Sequence, residues 1–227
     1  MPLLGFAAVA MWWDMAPALR AEFEDWHSHE HFPERMGIPG FLRGSRWAAA
    51  GGGEGFFVMY ELDAYETLTS PHYLARLNSP TPWSTKMMPH HRNMVRSQCR
   101  VAESWGGGIA TAMMTVRLSP VDGEEEALRT HLAAVLSALP LQPGLTGGHL
   151  LQTQTPAAAM TREQQIRGGD AAADWIMLVT GYDAAVVAGA VAKALTAPPL
   201  AGILQAKPIV APYRLSYTLA KTDLADS

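Results

Sequence analysis

Cysteine is nearly absent: the chain of 227 residues has one, Cys99. A lone thiol excludes an intrachain disulfide framework and any cysteine-rich metal centre, and it suits a reducing cytoplasm. Charge is scarce too. Charged side chains make up 17% of the residues, 17 basic against 21 acidic, for a formal net charge of −4. The basic residues form no run, which argues against a nucleic-acid partner or an anionic membrane surface. No stretch reaches the roughly 18 uninterrupted apolar residues of a membrane helix. The apolar opening, Leu3 to Trp13, has no basic residue before it and meets Trp12-Trp13-Asp14 where a small-residue cleavage site would lie. It therefore does not read as a signal peptide. The expectation is a soluble cytoplasmic protein. The sequence also lacks a phosphate loop, a dinucleotide fingerprint and a nucleophile elbow.

Apolar material is ample, at 48% of the chain, enough for a sizeable core. At roughly 100–200 residues per domain, the length allows one large domain or two small ones. An internal repeat decides how to read it. Gly5 to Trp13 and Gly108 to Leu118 read as buried strands, each followed by a helix. The first helix begins near Ala16 and fades before Pro33; the second runs from about Gly123 to Leu139. Pro-Gly turns follow, Pro39-Gly40 and Pro143-Gly144, and open the strands Phe41 to Ala49 and Leu145 to Thr153. Third strands, Phe56 to Leu62 and Trp175 to Tyr182, run into Asp63-Ala64 and Asp183-Ala184. A second helix (Glu66 to Asn78; Ala184 to Leu195) and a last strand (Val95 to Glu103; Ile209 to Leu219) complete each copy.

The order is βαββαβ twice, a ferredoxin-like unit in tandem. Helices cover one face of such a sheet, and the other, apolar face must be buried. Two copies in one chain can bury it against each other. The expected fold is α+β: residues 1–105 and 106–227 as ferredoxin-like repeats pairing into an intrachain barrel. The joint lies near Gly106-Gly107-Gly108. The link from Thr155 to Asp170, rich in Ala, Gly and charge, reads as an exposed loop.

The first helix carries the residues of chemical interest. At 100° per residue, Leu19, Phe23 and Trp26 define its buried stripe. Glu30 falls in the middle of that stripe, flanked by His27 and His31. A carboxylate there needs a partner or a raised pKa, and a neighbouring histidine is what general acid–base chemistry uses. Pro33 is expected to end the element just past these groups. The second copy serves as a control. Aligning Leu128, Leu132 and Val135 with the first stripe sets Leu136 against His27, Leu139 against Glu30 and Pro140 against His31. If one copy does chemistry, it is the first.

The segment Trp26-His-Ser-His-Glu-His-Phe-Pro-Glu-Arg35, followed by Ile38-Pro-Gly-Phe41, resembles EthD-like proteins of the dimeric α+β barrel superfamily. There an aromatic, a histidine and a proline close the first helix before a Pro-Gly turn. In one isomerase of the superfamily a histidine stands eight residues before that proline, as His31 stands before Pro39. The resemblance implies a catalytic His31. It covers most of residues 1–105 and, by topology alone, 106–227. Members include isomerases, cyclases, dehydratases and cofactor-free or haem-linked oxygenases, besides proteins without known activity.

The reading that follows is a small cofactor-independent enzyme, a lyase or isomerase, moving a proton on a small aromatic or polyketide-like molecule. His31 and Glu30 are its catalytic pair; Trp26, His27, Arg43, Tyr60 and Trp83 shape the pocket. Arg43 is expected to hold a substrate carboxylate or pair with Glu30. Trp83, Met87 and Met88 are expected to cover the mouth of the barrel. No metal or cofactor is called for. The alternatives are a non-catalytic ligand-binding or structural protein and a haem- or oxygen-dependent oxidase. Further pairing of fused chains into a homodimer stays open.

Overall fold

The computed structural model describes residues 3–53, 55–154, 160–168, 170–197, 200 and 202–224. Eight strands close into one barrel: β1 (Ala7–Asp14), β2 (Phe41–Ala49), β3 (Gly55–Leu62), β4 (Arg92–Gly106), β5 (Ala112–Leu118), β6 (Leu145–Thr153), β7 (Trp175–Gly181) and β8 (Ile209–Ala220). Their order around the barrel is β1-β3-β2-β8-β5-β7-β6-β4, with β4 returning to β1 and every neighbouring pair antiparallel. Each half of the chain supplies four contiguous strands in the order fourth, first, third, second. The halves meet at β2–β8 and β4–β6. Neither half closes a sheet by itself, because β4 pairs with β1 on one side and β6 on the other.

Alternation along the strands sends one set of side chains inward and the other toward the helices. Trp12, Trp47, Phe57, Met59, Cys99, Leu151, Ile176 and Leu178 fill the barrel. Val9, Trp13, Phe41, Phe56, Val58, Tyr60 and Leu62 face the helices of the first half. Val116, Leu150, Trp175, Met177 and Val179 face those of the second. Both faces are covered, which is why the strands read as nearly continuous apolar runs.

The two Pro-Gly turns repeat in detail. Gly40 and Gly144 adopt φ of +91° and +89°, a region that favours glycine. A bulge follows each turn, between Phe41 and Arg43 and between Leu145 and Gly147. The first bulge breaks the strict alternation that would put Phe41 and Arg43 on one face. The extra residue sends Phe41 to the helix side and leaves Arg43, Ser45 and Trp47 on the barrel side.

The helices are α1 (Arg20–Trp26), α2 (Phe32–Met36), α3 (Pro71–Asn78), α4 (Pro82–Met87), α5 (Glu125–Ala138), α6 (Arg162–Arg167) and α7 (Ala184–Leu195). Two corrections concern connecting segments. The stretch that carries Trp83 and Met87 forms α4, capped by the Thr81 hydroxyl, and packs against α1 rather than over the barrel mouth. The link between β6 and β7 contains α6, which docks on α3 of the other half instead of standing in solvent. Its residues 155–159 lie outside the described part of the chain. Among the described residues no helix is long and apolar enough to cross a membrane.

Candidate functional site

The element after β1 does not stop at Pro33. α1 passes through a π turn, His27–His31, into α2. The Phe32 amide donates to the His27 carbonyl, five residues back. Inside an α-helix, proline crowds the carbonyl four residues back and removes a donor; the wider π turn ahead of Pro33 relaxes that conflict. The helix thus gains another turn, and Arg35 reaches the buried face. The same turn corrects the placement of Glu30. It rotates the carboxylate off the stripe to a half-buried position, while Phe23, Trp26, His27, His31, Phe32, Arg35 and Met36 are buried.

His27 and His31 are 2% and 7% exposed. Their rings stack with centroids 5.3 Å apart. Trp26 lies 4.6 Å from His31, and Phe32 4.5 Å from His27. The Nδ1 atoms of both imidazoles are buried without a hydrogen-bond partner. Burial pushes the pKa of His31 well below the usual histidine range, and the Arg35 charge pushes the same way. Burial does the same to His27, with Arg46 next in effect. His91, against Trp13 at 4.8 Å, is pulled down to about 4, chiefly by burial. At neutral pH the layer therefore holds neutral imidazoles, able to accept a proton and quick to return it.

Glu30 engages other partners. It accepts hydrogen bonds from Trp26 Nε1 at 3.1 Å and from the Thr81 hydroxyl at 2.5 Å. Trp26 Nε1 also reaches Ser84 Oγ at 3.3 Å. Glu30 thus holds the indole that packs against His31. Trp83 lies over α1, donating to Glu22 Oε1 at 3.3 Å. Tyr60, on β3, faces the helices with its ring 5.4 Å from Phe32, and its buried hydroxyl has no partner. Burial raises its pKa, so the hydroxyl stays protonated.

Arg43 stands apart from all of these. It points into the barrel and forms a two-pronged pair with Glu61, at 2.7 and 2.9 Å, instead of meeting Glu30. Beside it are Ser45, His149 and Thr180 around a void of about 20 Å³, room for roughly one water.

Three residues that sequence reasoning passed over complete the layer. Arg35 donates through Nη2 to Glu163 Oε1 at 2.5 Å, and both side chains are 4% exposed. Arg46, on β2, donates to the Glu24 carbonyl at 3.1 Å. Glu163 comes from α6, in the other half of the chain. One signal was available: residues 27, 31 and 35 recur every four positions, one face of a helix that continues. Among the described residues, no three His, Cys, Asp or Glu side chains gather in a way that could hold a metal ion.

No family model matches the chain, and no curated protein sequence matches it. Solved structures do match. An anthrone oxidase-like protein superposes with a TM-score of 0.64 at 12% identity, over 98% of this chain and 96% of its own. A putative monooxygenase from Fusobacterium nucleatum subsp. nucleatum gives 0.60 at 8% identity, over 96% and 95%. Another, from Lactobacillus acidophilus, gives 0.58 at 8% identity, over 95% and 97%. The fold is the dimeric α+β barrel. At these identities the likeness carries the fold and leaves the chemistry to the site.

Proposed function

We propose that the protein is a cofactor-independent enzyme of the EthD-like type, moving a proton on a small aromatic or polyketide-like molecule. The observation that carries this reading is His31: a neutral imidazole, 7% exposed, with an unpartnered Nδ1 among aromatic rings. His31 takes a proton from an activated C–H and returns it elsewhere on the same molecule, as isomerisation, cyclisation or elimination requires. Its depressed proton affinity favours the return. Glu30 fixes Trp26, and Trp26 with His27 fixes the plane of the His31 ring. Tyr60 and Trp83 border the layer; Arg43 takes no part.

The test is solvent deuterium incorporation into a panel of enolisable aromatic ketones, followed by NMR. Wild-type protein should exchange the activated C–H of at least one. His31→Ala should slow that exchange at least a hundredfold, with an unchanged far-UV circular dichroism spectrum. Equal rates in the variant would sink the mechanism.

The anthrone oxidase-like neighbour supports a second reading of the same first step. The carbanion left after proton removal adds dioxygen, takes up a proton as a hydroperoxide, and loses water to give a ketone. Dioxygen is the oxidant and the substrate carbon is oxidised. Oxygen uptake matched to turnover would select this course; exchange without uptake would select the first.

A further inference from the structure

We infer that the same layer contains an oxyanion-binding site, formed by Arg35 and Tyr60 and held in place by Glu163 from the other half. Its ligand is an ionised oxygen on an apolar body: an enolate, phenolate or carboxylate. The inference rests on the proposed function for the location of the substrate beside His31, and not for the reaction.

Two buried donors point to it. Arg35 is 3% exposed, and its Nη1 has no partner. The Tyr60 hydroxyl, in a residue 2% exposed, has none either. Leaving such a group unsatisfied costs its full desolvation penalty. Tyr60 packs on Phe32, one turn before Arg35 in the same helix, and among charged groups Arg35 acts most strongly on both Tyr60 and His31. A guanidinium only donates and a protonated phenol carries an O–H to donate, so an acceptor oxygen satisfies both at once.

Arg35 is matched by Glu163, Arg167 by Asp170 at 2.8 Å, and Arg76 by Glu34 at 3.1 Å. Arg46, 4% exposed, meets neutral groups: the Glu24 carbonyl, Ser216 Oγ at 3.4 Å, and the rings of Phe23 and Tyr217. The Glu24 carboxylate pairs with Arg20, and its charge also acts on Arg46. Among the described residues Arg46 is thus a buried guanidinium held by neutral groups, as the half-buried Glu30 carboxylate is held by Trp26 and Thr81.

Glu163 supplies the geometry. It binds one side of the Arg35 fork and leaves the other free. α6 holds it there through the Thr161–Gln164 capping box, a bond from the Arg162 amide to Asn78 Oδ1 at 3.0 Å, and Ile166 packed on the first-half core. The second half thereby contributes to the site as well as to the barrel.

The experiment titrates the full chain with 4-nitrophenol, whose visible band reports the phenolate, and with benzoate. 4-Nitroanisole is the neutral control. Titration is at a pH where free 4-nitrophenol is mostly protonated. At least one of the two anions should bind saturably, and bound nitrophenol should show the phenolate band. Tyr60→Phe, nearly isosteric, should weaken binding about tenfold. Arg35→Lys keeps the charge opposite Glu163 but loses the fork, and should weaken it at least as much. Nitrophenol alone binding identifies a phenolate or enolate site, benzoate alone a carboxylate site; both support the inference. Neither binding, 4-nitroanisole binding as tightly, or unchanged affinity in both variants overturns it. Anion binding without proton exchange would remove the proposed reaction and leave this site. Exchange without anion binding would remove the site and leave the reaction.

Discussion

The helix-covered layers of the two halves share a strand order and bury equivalent positions with different chemistry. Gly44 and Gly148 correspond, paired across the sheet with Tyr60 and Val179. Two residues on, Arg46 pairs with Val58 where Leu150 pairs with Met177. The first layer sits under a helix with a π turn and two buried imidazoles. The second sits under α5, which presents Leu128, Leu132 and Leu136. The core of that half is thus made with apolar side chains, mostly leucine, valine and methionine. The buried histidines, arginines and tyrosine of the other half are a cost the barrel does not need, and such costs gather at functional sites.

The sharpest way to break this comparison is to exchange residues between layers. Leu150→Arg places a guanidinium in an aliphatic layer without the carbonyl, hydroxyl and rings that receive Arg46. It should cost about 3–5 kcal/mol. The reverse change, Arg46→Leu, should stay within about 1 kcal/mol of wild type, since well-packed apolar replacements of buried charges are often neutral. Denaturant midpoints at pH 7 read both. Equal losses would mean that the two layers tolerate charge alike.

The equivalent glycines give a smaller contrast. A Cβ on Gly44 would lie 2.0 Å from the buried Phe32 ring, whereas one on Gly148 would lie 2.9 Å from a Leu136 methyl. Gly44→Ala should cost about 2–3 kcal/mol by overpacking, and Gly148→Ala about 1 kcal/mol. A larger loss at Gly148 would show the second helix to be the more rigidly seated.

Acid separates the layers in a different way. His27, His31 and His91 have folded pKa values below their unfolded ones. Below about pH 6.5 the unfolded chain binds protons that the native layer refuses, so stability falls as pH drops from there toward the folded values. Above that pH all three are neutral in both states and the effect is absent. Each group contributes a slope of about 1.4 kcal/mol per pH unit inside its window. His27→Leu, the residue at the corresponding place in α5, should flatten the acid limb by that amount and leave stability at pH 8 nearly unchanged. An unaltered slope between pH 6 and pH 5 would mean that His27 is already protonated when folded.

Most of the fold was legible because strands and turns are local. β2, β6 and α7 fall at the bounds that their residue patterns suggest, and the two Pro-Gly turns mark the same step in each half. Part of the candidate site was legible as placement: Trp26, His27 and His31 pack together, and Tyr60 meets them through Phe32. The rest failed for identifiable reasons. A fixed 100° step cannot represent a π turn, so Glu30 was set on the buried stripe and Arg35 was left beyond a proline that does not end the helix. A bulge next to the turn moved Arg43 to the opposite face from Phe41. Glu163 has no local signature, because its partner lies 128 residues away and its segment resembles a loop.

The smallest predicted effect compares one kind of pair at two depths. Arg35–Glu163 is 4% exposed on both sides, whereas Arg76 and Glu34 are 40% and 17% exposed and join α3 to α2 at the rim of the same layer. Burial raises the Glu34 pKa and Arg76 works against it. Solvent at the arginine end screens this pair, so Glu34→Gln should cost no more than about 0.5 kcal/mol. Most of that loss should vanish in about 1 M salt, where the screening length falls to roughly 3 Å. The Arg35–Glu163 pair has no such access, and its contribution should persist at the same ionic strength. Should Glu34→Gln cost several times more, and salt leave the loss intact, the rim would be as dry as the centre. The charged layer would then extend from His31 out to α3 instead of ending at Arg35.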